Sequence, residues 1–74
     1  MGKFRPYTEK DMPVVHLCAV RCKRNDIVST ITGWDKNVIV LSTNIAPFYH
    51  QLLTDYEFLD GSPCGIEEND IQIN

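Results

Sequence analysis

Alternating apolar and polar residues in the middle of the chain predict a β-hairpin. The stretches 27–32 (IVSTIT) and 38–43 (VIVLST) are rich in β-branched residues, which favour strands. Residues 33–37 (GWDKN) between them have the length of a hairpin connection, and both Gly33 and Asn37 can adopt a positive φ. We therefore expect two antiparallel strands here, and this is the strongest structural signal in the chain.

Segments on either side of the hairpin predict further strands. Residues 14–22 (VVHLCAVRC) are largely apolar on both alternating faces, which is typical of a strand that lies centrally in a sheet or between layers. Val15, Ala19 and Cys22 also have helical spacing, so a helix is the competing interpretation, although β-branching favours the strand. Residues 56–59 predict a short strand that returns to the sheet.

The region after the hairpin predicts one amphipathic helix over roughly 46–55. Thr43 or Asn44 can cap such a helix, and Pro47 suits its first turn. The apolar side chains that would share one helical face are Phe48, Leu52 and Tyr56.

The ends of the chain predict less regular structure. Residues 1–13 are expected to form an irregular arm whose aromatic side chains pack onto the body. Thr8 could cap a single helical turn that Pro13 would end. The acidic tail 66–74 either adds an edge strand through Ile71 and Ile73 or stays loose.

Length and composition indicate one domain spanning 1–74. The chain has 74 residues, of which 43% are hydrophobic, an ordinary value for a globular protein. A domain this small buries only about 60% of the surface that its unfolded chain exposes, so homo-oligomerisation is one way to gain stability. We predict the α+β class: a small twisted antiparallel sheet of four to five strands with one short helix.

Charge and cysteine content narrow the range of partners and cellular compartments that we expect. The net charge of −3 disfavours nucleic acid as the main partner, because phosphate binding needs a basic surface. No apolar run is long enough for a membrane span, and no signal-peptide core is visible, so we expect a cytoplasmic protein. Cys18, Cys22 and Cys64 make an odd number, which is typical of reduced thiols rather than of a disulfide framework.

Three short motifs carry a resemblance to a protein group. Residues 56–65 (YEFLDGSPCG), 4–7 (FRPY) and 31–33 (ITG) resemble small uncharacterised proteins of phages and prophages. The resemblance implies an SH3-like partial barrel and a viral accessory origin, in which case the setting is the host cytoplasm. This chain differs from that pattern in its rather long helical segment and its very apolar first strand.

Candidate chemistry at cysteine and histidine is weak. His16, Cys18 and Cys22, with Cys64 or His50, could offer soft ligands to zinc. On a strand, however, positions 16 to 22 spread over about 20 Å, too far for one metal ion. No base or oxyanion donor can be named for a Cys64–His50 nucleophile pair. We therefore predict no metal, no cofactor and no catalytic residues; whether Cys64 is exposed stays open.

The sequence offers more candidate residues for ligand or partner binding than for catalysis. The basic cluster around the first turn could hold a phosphate-bearing ligand or form an ordinary solvated turn, with aromatic residues as stacking platforms. Trp34, at the hairpin tip, either folds back onto the sheet or is an exposed contact residue. The candidate residues for ligand or partner binding are Trp34, Arg21, Lys23, Arg24, Lys36 and Tyr49.

Two function classes follow from these observations. The leading hypothesis is a non-enzymatic, phage-type accessory protein that binds a host protein, plausibly a defence protein, and interferes with it. The alternative is a homo-oligomer that sequesters a small anionic ligand, such as a signalling nucleotide, at subunit interfaces through Arg21, Lys23, Arg24 and Trp34. A nucleic-acid-binding barrel is disfavoured by the acidic balance.

Overall fold

Six β-strands and two short helices make up residues 3–68, the part of the chain that the computed structural model describes. In chain order the elements are β1 (Lys3–Pro6), a 3₁₀ turn (Glu9–Asp11), α1 (Met12–Val15), β2 (Ala19–Cys22), β3 (Val28–Trp34), β4 (Ile39–Leu41), α2 (Tyr49–Asp55), β5 (Tyr56–Phe58) and β6 (Gly65–Glu68).

The strands form two antiparallel sheets. Four of them lie in the order β4-β3-β2-β5, and β1 pairs with β6 in a separate two-stranded ribbon. The predicted α+β class, with a small antiparallel sheet, is confirmed. The sheet does not close into an SH3-like barrel, because β1 and β6 pair with each other and not with the edges of the larger sheet.

The central hairpin is confirmed, but its bend lies further along the chain than predicted. A β-bulge between Ile31 and Gly33 shifts the register, so β3 continues to Trp34, which pairs with Ile39. The connection is held by the Asp35 carboxylate, which accepts hydrogen bonds from the backbone N–H of residues 37 and 38 at 2.7 and 2.8 Å. Neither Gly33 nor Asn37 has a positive φ.

The long first strand predicted over 14–22 is wrong in its first half. Residues 12–15 form α1, and Pro13 lies inside this helix instead of ending it. Proline is tolerated there because backbone N–H groups in the first helical turn have no intrahelical acceptor. Leu17, with φ 69°, then reverses the chain before β2 begins at Ala19.

The N-terminal arm is more regular than expected. Residues Lys3–Pro6 pair with Gly65–Glu68, so the described part of the acidic tail, residues 66–68, belongs to a strand and is not loose. Tyr7 is buried, as expected for an arm that packs onto the body, whereas Phe4 remains exposed. The tail strand predicted through residues 71 and 73 lies outside the described residues.

Helix α2 is shorter than the predicted 46–55 because the preceding residues lie extended along β4. The carbonyl of Pro47 accepts a hydrogen bond from the backbone N–H of Ile39 at 2.9 Å, so Pro47 is not in the helix. The side chain of Gln51 accepts a hydrogen bond from the N–H of Phe48, the N-cap residue. The predicted caps, Thr43 and Asn44, are therefore wrong.

Eleven buried apolar residues form the core, which lies between the inner face of the four-stranded sheet, the helices and the ribbon. Its fully buried members come from both helices, from β2, β3 and β4, and from the segment before β6: Met12, Val20, Ile31, Ile39, Leu41, Leu52 and Cys64. The ribbon meets α2 so closely at Gly65 that a Cβ there would lie 2.5 Å from the carbonyl oxygen of Arg5 and 2.7 Å from a methyl group of Leu53. Glycine is therefore required at this contact.

Candidate binding surfaces

The six residues predicted for binding do not form one patch. Arg21 pairs with Val28 at the first end of β3, whereas Trp34 occupies the last position of the same strand. These ends are about 20 Å apart at roughly 3.3 Å per residue. Lys23 and Arg24 lie beyond Arg21, in the exposed turn that leads back to Val28. Within one chain, the basic turn and the tryptophan therefore cannot grip one small ligand.

The charge of Arg21 is already compensated. Its guanidinium donates two hydrogen bonds to Glu57 on β5, from Nη2 at 2.9 Å and from Nε at 3.3 Å. Both side chains are partly buried, so the pair is better shielded from water than the ion pair of Arg5 with Glu68. Arg21 thus contributes to a neutral polar spot and not to a basic patch.

Trp34 folds back onto the body instead of projecting from a hairpin tip. It packs against the core and meets the ring of His16 edge-on, with the ring centroids 5.4 Å apart and the planes at 79°. The His16 ring nitrogen Nε2 lies 3.3 Å from the carbonyl oxygen of Thr32. His16 therefore supports the end of β3 and does not share a ligand set with the cysteines.

Lys36 and Tyr49 are the two predicted residues that the structure does bring together. They line an open cavity of about 470 Å³ with the residues at the start of the 3₁₀ turn. We call this site the groove, and it is lined by Thr8, Glu9, Lys10, Lys36 and Tyr49. Sequence reasoning missed Lys10 and Glu9, and it considered Thr8 only as a cap.

Hydrogen bonds hold the walls of the groove in place. The Asp11 carboxylate accepts bonds from the backbone N–H of Thr8 at 2.8 Å, from its hydroxyl at 3.0 Å and from Arg5 at 3.1 Å. These bonds lower the pKa of Asp11. Opposite, the Tyr49 hydroxyl donates a hydrogen bond to the carbonyl of Asp35, which ties α2 to the hairpin connection.

Tyr49 is a neutral phenol at physiological pH. Partial burial raises its pKa above the usual value, and the nearby carboxylates of Glu9 and Asp35 raise it further because they disfavour a phenolate. Its hydroxyl therefore keeps the proton that it donates to the Asp35 carbonyl.

The outward side of the four-stranded sheet is the second candidate surface. Strand alternation places one row of residues from each strand on this side, and the register aligns Glu57, Arg21 and Val28 across three strands. Val28 and Val40 are 49% and 41% exposed there. We call this surface the open sheet face, and it comprises Ala19, Arg21, Val28, Thr30, Val40 and Glu57.

An aromatic residue extends this surface beyond β4. Phe48 is bridged to Val38, which precedes β4 on the outward side, and half of its side chain is exposed. Its ring stacks on His50, with centroids 5.8 Å apart and planes 12° from parallel. The prediction that Phe48 lies on the apolar face of a helix is wrong. Phe48 lies outside α2, as its N-cap residue.

The cysteines contribute to packing. Cys22 and Cys64 are buried and Cys18 is partly exposed. Burial raises the pKa of Cys64 to about 12, which keeps the thiol protonated. No group of three His, Cys, Asp or Glu side chains within residues 3–68 is placed to hold a metal ion.

Comparison with known proteins adds no relative: no family model, no curated protein and no solved structure matches the chain. The resemblance to phage and prophage proteins therefore stays a prediction. In the part of the chain that is described, neither helix is long and apolar enough to cross a membrane.

Proposed function

We propose that this chain is a non-enzymatic, phage-type accessory protein that binds a host protein through the open sheet face. The observation that carries the proposal is the exposure of Val28 and Val40 on neighbouring strands of one face, with Phe48 half-exposed at the end of the face where Val40 lies. Removing apolar surface from water contributes roughly 25 cal/mol per Å², so a partner that covers these side chains gains affinity from each.

The edges of the sheet support docking on the face and not by strand addition. The outer edge of β4 is already hydrogen-bonded to the following residues: Leu41 N–H donates to the carbonyl of Ile45 at 2.9 Å. The outer edge of β5 is covered in the same way, since Phe58 N–H donates to the carbonyl of Ser62 at 2.9 Å. A partner strand would have to displace these bonds before it could pair.

The ion pair beside the valines adds specificity to the apolar contact. Arg21 and Glu57 lie next to Val28 in register and are partly exposed, so a partner that covers the face must satisfy both charges. Arginine is enriched among the residues that dominate protein interfaces. Arg21 thus keeps the binding role predicted for it, although its neighbours differ from those expected.

The nature of the partner rests on the sequence resemblance. The motifs at 56–65, 4–7 and 31–33 support a viral accessory protein, and such a protein finds its partners in the host. Interference with a host defence protein is the corresponding function.

Isosteric polar substitutions test the surface. We expect the double variant Val28→Thr, Val40→Thr to bind a host protein at least tenfold more weakly, because two methyl groups in the contact become hydroxyls. The control is Val14→Thr on α1, where the side chain is 83% exposed and does not belong to the open sheet face. Thermal unfolding checks that all variants fold.

The measurement has two stages. Host proteins captured by the purified chain are identified, and the affinity of each is then measured with purified components for the parent chain and the variants. Equal affinities for the double variant and the parent would contradict the proposed surface. Failure of every captured protein to bind in purified form would contradict the proposed function.

A further inference from the structure

The groove lies at the junction of three chain segments and is independent of the open sheet face. We propose that it binds a small phosphate-bearing ligand of the size of a nucleoside monophosphate. Its volume of about 470 Å³ falls within the range of roughly 300–1,000 Å³ typical of small-molecule sites. It is built by the 3₁₀ turn, the β3–β4 connection and the first residue of α2.

Two lysines give the groove its affinity for an anion. Lys10 and Lys36 come from different segments, and neither forms an ion pair with a carboxylate among residues 3–68. An unpaired ammonium group binds phosphate as a compact point charge. Two lysines and one glutamate line the groove, so its charged residues carry a net positive charge, whereas the chain as a whole carries a net charge of −3.

The remaining lining residues favour a ligand that carries sugar hydroxyls and an apolar ring in addition to its phosphate. The Glu9 carboxylate repels an anion but accepts hydrogen bonds from sugar hydroxyls. The partly buried ring of Tyr49 offers an apolar surface. A nucleoside monophosphate satisfies all three chemistries: its phosphate meets the lysines, its ribose hydroxyls meet Glu9, and its base packs near Tyr49.

The walls of the groove are organised before any ligand arrives. Asp11 fixes the 3₁₀ turn through Thr8, Asp35 fixes the hairpin connection, and the Tyr49 hydroxyl joins that connection to α2. A ligand therefore orders mainly the two lysine side chains, which lowers the entropic cost of binding.

Titration calorimetry with adenosine monophosphate tests the proposal, with adenosine and inorganic phosphate as the partial ligands. We expect saturable binding of the nucleotide that is at least tenfold tighter than binding of either part. The variant Lys10→Ala, Lys36→Ala is expected to lose at least tenfold in affinity. Lys23→Ala, Arg24→Ala is the matched control, because it removes the same charge from two exposed positions that do not line the groove.

Each outcome decides the question. Loss of binding in the double variant with retention in the control supports the site. Absence of nucleotide binding, or equal affinities for the double variant and the control, overturns it. Equal affinity for inorganic phosphate and the nucleotide overturns the proposed ligand size. Lys10→Gln, Lys36→Gln keeps long side chains and replaces the alanine variant if that variant does not fold.

Discussion

The two sides of the four-stranded sheet are built from the same strands, and both carry valine residues. One side packs into the core, and the other side is exposed to solvent. Val20 on β2 is fully buried, whereas Val28 on the neighbouring β3 is 49% exposed. Their residue type is identical, and only the parity of their positions in the register differs. The comparison teaches that an apolar residue in this protein stabilises the fold or offers a contact according to the side on which it lies.

The largest effect expected from this comparison is at Ile31, on the inner side. Ile31→Ala leaves a cavity in the core and should lower the free energy of unfolding by roughly 2–5 kcal/mol. Val40→Ala on the open sheet face should lower it by less than about 0.5 kcal/mol. Urea unfolding of both variants measures the difference, and similar losses at the two positions would contradict the assignment of sides.

Substitutions at two glycines, Gly65 and Gly33, extend the comparison between packed and open positions. Gly65→Ala forces a methyl group against the Arg5 carbonyl and Leu53, so we expect a loss of about 1–3 kcal/mol. Gly33 pairs with Val40, and a Cβ there would meet nothing within 4 Å. Gly33→Ala should therefore leave the free energy of unfolding unchanged or slightly raise it. Thermal and urea unfolding measure both variants, and a larger loss at Gly33 would refute the packing described for the ribbon.

The smallest effect concerns the titration of two buried core side chains, Tyr7 and Cys64. Burial raises the pKa of Cys64 and of Tyr7 to about 12 each, from ordinary values of 9.0 and 10.0. Above pH 9 the unfolded chain releases these protons while the folded chain keeps them, so stability falls as the pH rises. At pH 10 the loss should be on the order of 1 kcal/mol.

Urea unfolding between pH 7 and pH 11 measures this decline. Cys64→Ala should move its onset upward, toward the ordinary pKa of tyrosine, because Tyr7, Tyr49 and Tyr56, whose pKa values are also raised, then supply the remaining linkage. An unchanged onset in this variant would show that other groups cause the decline.

Sequence reasoning succeeded where neighbouring residues decide the outcome. The hairpin formed by β3 and β4 and the short strand β5 follow from alternation and turn residues. The prediction of a strand over 14–22 was wrong in the residues before β2, because β-branched residues suit either structure. The reversal at Leu17 depends on a hydrogen bond from its N–H to the distant carbonyl of Ile31. The helix start failed because residues 45–48 pair with β4 instead.

For the binding residues, too, sequence reasoning could propose the residue types but not which residues meet in space. Lys36 and Tyr49 were predicted as parts of one binding patch, Lys36 with the basic cluster of the first turn and Tyr49 as a stacking platform for its ligand. Their meeting with Lys10 joins segments far apart in the chain, and no local pattern signals it. Arg21 on β2 and Trp34 on β3, predicted to share a ligand at subunit interfaces, lie far apart within one chain, because Arg21 pairs with Val28 at the end of β3 opposite to Trp34.

The α+β class, the central hairpin and the largely apolar composition of the core could be predicted from local sequence patterns, because alternation and backbone propensity act over a few residues. The open side of the sheet, the pairing of β1 with β6 and the presence of two lysines in one groove became visible in the folded structure alone. These features depend on contacts between residues distant in the chain, whose geometry is set by packing of the whole domain.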